Sequence, residues 1–375
     1  MKKLNLLCLL SLIAIGFSAC YDEDEPWGDW SKIVSFPGRE RVTAVSFQDA
    51  SGKAYVGLGY NPDINTTPDK YLKDFYTFDG KSWNLIEGQD FPDRGRRGSV
   101  AFVIGDTAYV GAGYRGKSTI DPVEIYYSNF YKFVISKAEW AKDGDVYLTT
   151  DIAKDFPDNQ SCKFWGGIGF EYNGKGYVGT GQCDGFLSNT LFEYDPATGK
   201  WSAENRPDGT SYKGDKRVGA SVFKIGATKN DPGNVVVTLG ATGTSNAVDV
   251  CVLNKSGWTL MRPLVNTDGE FNDHYASIPR SHAAAFSSSL NNNREYGFVM
   301  AGAGATKGFV YDLDYDRWHQ VEDLAPQMSM MVGSVSFAIN GKGFIVTGGS
   351  SVNSASHSRT WEYTPWILEE DYNDY

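Results

Sequence analysis

The chain is poor in the side chains on which most metal and redox chemistry rests. Its 375 residues contain four histidines, His274, His282, His319 and His357, with no His-x-x-x-His spacing, so no metal site is expected. Five cysteines occur. Cys8 and Cys20 lie at the extreme N-terminus, which leaves Cys162, Cys183 and Cys251 for one pair and one orphan. Positive charge is in deficit: 35 Lys and Arg against 46 Asp and Glu give a net charge of −11, which argues against a nucleic-acid-binding surface. After the first 17 residues no apolar run approaches the ~20 residues needed to span a bilayer. The acidic stretch Asp268-Gly269-Glu270-Phe271-Asn272-Asp273 lacks the ordered alternation of an EF-hand calcium loop. No cofactor is implied.

What is present begins with an export signal. Met1-Lys2-Lys3 is a basic start, Leu4 to Phe17 an apolar run, and Ser18-Ala19 a small-residue cleavage site. Residues 1–19 are therefore excluded from the fold. The junction Phe17-Ser18-Ala19-Cys20 resembles the lipobox of bacterial lipoproteins, with Phe17 where leucine is usual. That resemblance implies lipidation of Cys20. The acidic run Tyr21 to Glu25 and Pro26 repels itself and reads as an extended tether over residues 20–29. Acidic residues directly after the cysteine also resemble the surface-export signal of some Gram-negative lipoproteins. The expected location is the outer membrane, facing outward, with a periplasm-facing anchor as the alternative.

The remainder is rich in glycine (42) and aromatic residues (14%), and it repeats. Trp30, Trp83, Trp140, Trp201, Trp258, Trp318 and Trp366 recur at close to the ~50 residues of a kelch unit. Each interval repeats one phrase: a small-residue strand ending in Phe, a turn, a strand ending in Gly-x-Gly, a variable loop, an aromatic strand, then the Trp. In the third unit these are Gly167-Ile168-Gly169-Phe170, the hairpin signal Asn173-Gly174, Gly179-Thr180-Gly181, Leu191-Phe192-Glu193-Tyr194 and Trp201. Four strands that cannot bury their own faces must stack radially. The phrase resembles the kelch family across residues 30–368, with an acidic tail at 369–375. The resemblance implies an all-β, six-bladed, kelch-type β-propeller, with seven blades as the alternative. Either the Trp30 segment or Trp366-Ile367-Leu368 supplies the outer strand that closes it.

Counting back six residues from each first-strand Phe reaches Arg41, Arg96, Phe164, Arg217, Arg280 and Met331. These are assigned to the mouth of the central channel, where converging guanidinium groups would take a carboxylate or phosphate. The competing reading makes them part of the repeat's own architecture. Arg39, Arg94, Arg97 and Arg115 are placed as additions to the mouth. Trp165, Phe164 and Trp27 are candidate stacking platforms, and His282, two residues after Arg280, is a candidate contact. Cys162 and Cys183 flank the third hairpin symmetrically, so a disulfide is expected between them, with Cys251 a buried free thiol.

These features favour a monomeric recognition module that binds a glycan or a protein partner and carries no catalytic group. Galactose oxidase shares the propeller type, but its copper ligands have no counterparts here. The alternative is an enzyme resembling the six-bladed kelch mutarotases that act on sialic acid, with His282 or Glu204 as the proton-transfer group.

Overall fold

In the computed structural model, the described residues are 27–63, 69–117, 122–204, 211–266, 275–290, 293–355 and 357–366. The signal segment, Cys20 and the tail 369–375 lie outside them, as do the acidic stretch 268–273 and His274. Six antiparallel sheets, five of four strands and one of five, stand around one axis, and each runs from an inner strand to an outer strand in sequence order except where the ring closes.

Blade 1 comprises Val45–Gln48, Ala54–Gly57, Phe75–Phe78 and Trp83–Leu85. Blade 2 comprises Val100–Ile104, Thr107–Gly111, Asn129–Val134 and Glu139–Trp140, with Thr149–Asp151 added beside its third strand. Blade 3 comprises Ile168–Tyr172, Lys175–Gly179, Leu191–Asp195 and Lys200–Ala203. Blade 4 comprises Ser221–Ile225, Asn234–Thr238, Val250–Asn254 and Gly257–Leu260. Blade 5 comprises Ala284–Ser289, Glu295–Met300, Lys307–Asp312 and Arg317–Asp323. Blade 6 comprises Val335–Ile339, Lys342–Val346 and Thr360–Thr364, and its outer strand is Asp29–Lys32 from the other end of the chain.

Six blades are thus present, and the Trp30 segment closes the ring. Trp30 lies opposite Tyr363, their rings 4.8 Å apart. Just before it, the buried Trp27 stacks on His319 of blade 5 at 4.9 Å, and its carbonyl accepts from the Tyr363 hydroxyl. Trp366 follows the third strand of blade 6 and adds no strand.

The recurring phrase explains the packing. Inner strands alternate sides with period two, so the terminal Phe enters the core between blades while small residues face the axis. Phe47, Phe102, Phe170 and Phe286 each stack on the aromatic directly across the hairpin, at 4.8 to 5.3 Å. Glycine on the second strand makes room for the neighbouring blade's Phe: a Cβ on Gly176 would stand 2.1 Å from Phe102, and one on Gly297 would stand 1.9 Å from Phe223. Each Phe so buried contributes about 1.5–3 kcal/mol relative to exposure. Toward the axis, Ala44, Ser46, Ala101, Gly167, Gly169, Ala220, Ala285 and Ser336 line a channel cavity of about 290 Å³.

Candidate functional site: the channel mouth

The four arginines reached by counting back from Phe are not in the mouth. Arg41, Arg96 and Arg217 are fully buried and Arg280 is 2% exposed; each lies within the wall of its own blade. Arg41 binds Asp74 through both terminal nitrogens (2.8 and 2.9 Å) and donates to the Leu58 carbonyl at 3.0 Å. Arg96 pairs with Asp93 and with Asn129 at 3.1 Å. Arg217 pairs with Asp249 and donates to the Leu239 carbonyl at 3.0 Å. Arg280 donates to the carbonyls of Ile278, Ser277, Lys307 and Ala301 at 2.9, 3.0, 2.7 and 3.3 Å; burial pulls its pKa down to about 10. Burial pulls the Asp74 carboxyl upward, but the Arg41 guanidinium outweighs this and leaves it below the usual carboxylate range. Phe164 and Met331, the equivalents in blades 3 and 6, are fully buried as well. This geometry matches the architectural reading, in which the arginine ties the second and third strands of its blade together.

The mouth is formed two residues further on, by Thr43, Gly98, Gly166, Gly219, His282 and Gly333. Their backbones make a closed ring. Gly98 N–H donates to Thr43 O (2.9 Å), Gly166 to Gly98 (2.9), Gly219 to Gly166 (2.7), His282 to Gly219 (2.8), Gly333 to His282 (3.0) and Thr43 to Gly333 (2.7). All six have positive φ, from 50° to 66°, a region that favours glycine.

Immediately before the ring positions come Val42, Arg97, Trp165, Val218, Ser281 and Val332. Strand alternation turns their side chains the opposite way from the wall arginines. Their decoration is lopsided. Blades 4 to 6 carry valine, serine and valine, whereas blades 2 and 3 carry Arg97 and Trp165. The Arg97 guanidinium stands 4.9 Å from the Tyr60 ring, 5.4 Å from Tyr114 and 5.0 Å from Trp165. It donates from Nη1 to the Val352 carbonyl at 3.0 Å and to Asn353 Oδ1 at 2.6 Å. Its Nε is buried without a hydrogen-bond partner. Trp165 stacks on His282 with centroids 6.1 Å apart and 26° between planes, and the His282 Nε2 is also buried without a partner. Burial, with a contribution from the Arg97 cation, lowers the His282 pKa to about 4. The imidazole is therefore neutral at neutral pH.

Three of the residues anticipated for the site meet here: Trp165 stacks on His282 and takes the Arg97 guanidinium against its ring. Tyr60, Tyr114 and Asn353 were not anticipated; the terminal tyrosines of Tyr55 to Tyr60 and Tyr109 to Tyr114 were the available signal. Arg39 and Arg94 are exposed, while Arg115 is buried against Asp69 and the Tyr71 ring. Glu204 ends the outer strand of blade 3 and is held against blade 4, its carboxylate accepting from Tyr212 N at 3.0 Å and from the Trp258 indole. The expected Cys162–Cys183 disulfide is absent: both are buried free thiols, as is Cys251. Cys162 Sγ turns to the Phe156 carbonyl at 3.7 Å within a short 3-10 turn, and burial pushes the Cys183 pKa up to about 11.

Together the closed ring of blades and the one-sided mouth define a kelch-like, six-bladed β-propeller with one arginine–aromatic recess at the end of its channel. No family model matches the chain. The N-acetylneuraminate epimerase of Vibrio cholerae serotype O1 is 27% identical to it over 187 residues, 46% of this chain and 41% of that protein, so the similarity spans less than half of that relative's length. The solved structure of YjhT superposes with a TM-score of 0.62, covering 90% of this chain and 98% of its own, at 16% identity. That second likeness concerns the fold alone.

Proposed function

We propose that the chain binds a carboxylated sugar of the N-acetylneuraminate kind at the Arg97 mouth, as an exported propeller held to the outer membrane through Cys20. The observation that carries this reading is the Arg97 guanidinium, boxed by Tyr60, Tyr114 and Trp165 with its Nε lacking a partner. A carboxylate supplies two acceptors in the plane that a guanidinium requires, and the flanking rings give the sugar's apolar face a surface to stack on. The partial match to an N-acetylneuraminate epimerase supports the same ligand class. The wall arginines do not contribute, because their donors already have internal partners.

Calorimetric titration of the signal-free protein with N-acetylneuraminate and with neutral N-acetylmannosamine tests this. The acidic sugar is expected to bind and the neutral one not. Arg97→Ala should weaken binding by at least about 10-fold, as loss of a charged hydrogen bond of about 1.5–3 kcal/mol implies, with little change in Tm. Arg41→Ala should show the reverse: a large fall in Tm and, where the protein stays folded, binding kept. Equal affinity for both sugars, or none for either, would sink the reading.

A further inference from the structure

We infer that the mouth continues into a second chamber suited to uncharged sugars, so that the ligand is the acidic end of a glycan rather than a free monosaccharide. This rests on the ligand class proposed above and extends it to the sugars that the acidic residue is joined to.

Each of the two decorated mouth positions launches a hairpin. Arg97 bridges to Tyr114, the first residue of the hairpin formed by Tyr114–Arg115 and Ile125–Tyr126. Trp165 bridges to Gln182, which opens the hairpin of Gln182–Cys183 and Phe186–Leu187. The two hairpins meet: Asp184 N–H, in the turn of the second, donates to the Tyr126 hydroxyl of the first. Beside that contact, with the short turn Gln160–Cys162 on its third side, lies a cleft of about 540 Å³, within the ~300–1,000 Å³ of ordinary small-molecule sites. Tyr114 stands between cleft and mouth. Its ring is 5.4 Å from the Arg97 guanidinium and 4.9 Å from the ring of Tyr126, which lines the cleft.

Mouth and cleft differ in charge. The mouth holds the Arg97 cation among aromatic rings, whereas the cleft sets Glu124, Asp158 and Asp184 against Lys163. A second carboxylated sugar is repelled there, while sugar hydroxyls can donate to the carboxylates in charge-assisted hydrogen bonds without bringing charge of their own. The cleft also has an aromatic at its edge. Among the described residues only one phenylalanine is exposed, Phe186, at 72%. It lies directly across the hairpin from Cys183, which is buried in the cleft wall, so the two side chains project from the same face. A lone exposed apolar residue means little; Phe186 gains weight from its place on the cleft side of the hairpin that leaves Trp165, where its ring offers a sugar's C–H face a stacking surface. In N-acetylneuraminate the carboxylate and the glycosidic oxygen share one carbon. A carboxylate held at Arg97 therefore places the next sugar immediately beside that guanidinium, on the way past Tyr114 into the cleft.

Calorimetric titration of the signal-free protein with three glycosides tests this: the methyl glycoside of N-acetylneuraminate, N-acetylneuraminyl-lactose, and the disaccharide of two N-acetylneuraminates. The lactose conjugate is expected to bind at least about 10-fold tighter than either of the others, the gain that one charge-assisted hydrogen bond supplies. Phe186→Ser should remove most of that advantage and leave the methyl glycoside's affinity unchanged. The double substitution Asp158→Asn, Asp184→Asn should tighten binding of the diacid, a gain that misfolding cannot produce; asparagine also tolerates the φ of 48° at Asp184. Equal affinity for the lactose conjugate and either other glycoside, or a ranking that neither variant changes, overturns the cleft assignment and leaves the Arg97 reading standing. Binding of free N-acetylneuraminate but of no glycoside does the same. Absence of binding by free sugar and glycosides alike overturns both.

Discussion

At the scale of single residues, the mouth depends on which way one side chain points. Arg96 and Arg97 are adjacent, yet the first is walled in against Asp93 and Asn129 and the second stands among three aromatic rings. The repeat phrase located the segment; it did not resolve the parity, because counting residues from Phe does not say which of two adjacent side chains turns into the wall and which toward the mouth. Trp165 and His282 were legible as candidates because an aromatic and an imidazole stand out in the short lead into a small-residue inner strand. Tyr60 and Asn353 were not, since their role comes from cross-blade contact. His282 also has a thermodynamic consequence. Its folded pKa of about 4 lies below the ordinary value of 6.5, chiefly through burial, with Arg97 the charged group contributing and Trp165, Gly166 and Gly219 the uncharged neighbours. Between those values the unfolded chain binds more protons than the folded one, so stability is lost as pH falls from about 6.5 toward 4. We expect His282→Gly to flatten this dependence, removing a loss of about 1–3 kcal/mol that the wild type shows between pH 7 and pH 4. Parallel melts at the two pH values that differ equally for both proteins would contradict it.

At the scale of elements, the outer strand of blade 6 decides whether the ring is closed. The six tryptophan intervals made the blade number readable, because six of the seven Trp, all but Trp366, mark outer strands. They left the closing segment open, since both chain ends carry a Trp and strand pairing between them is a contact some 330 residues apart in sequence, which no local pattern encodes. Asp29–Lys32 pairs with Thr360–Thr364 along four residues, and Trp27 adds its stacking on His319 and its bond to Tyr363. Removing residues through Lys32 would leave Thr360–Thr364 as a bare edge next to the uncovered ring of Tyr363, a template for association with other chains. We expect the truncated protein to melt more than about 10 °C below the chain that keeps Asp29–Lys32 and to form soluble aggregates. Size-exclusion chromatography showing an unchanged monomer with unchanged Tm would mean that the closing strand is dispensable.

At the scale of the whole molecule, the two ends of the propeller differ. Inner strands start at the hydrogen-bonded ring and successive strands alternate direction, so the outer strand of blade 6 starts at the end opposite the mouth. Asp29 pairs there with Thr364, the last residue of the third strand. A chain held through the residues before Trp27 therefore turns its mouth away from its anchor. Fluorophores on Lys117→Cys, beside the mouth, and on Lys255→Cys, on an opposite turn, would report this on liposomes carrying the acylated protein. A headgroup quencher should darken the second more than the first; equal quenching would contradict an anchored, outward-facing arrangement. The inner strands that separate the two ends run about 5 residues, or roughly 17 Å at ~3.4 Å per residue. That separation is about twice the ~8 Å over which charge is felt at physiological ionic strength. On the anchored arrangement proposed above, an anionic sugar arriving at the Arg97 recess would thus meet the local guanidinium rather than the repulsion of a membrane surface, and capture should be nearly insensitive to that surface's charge.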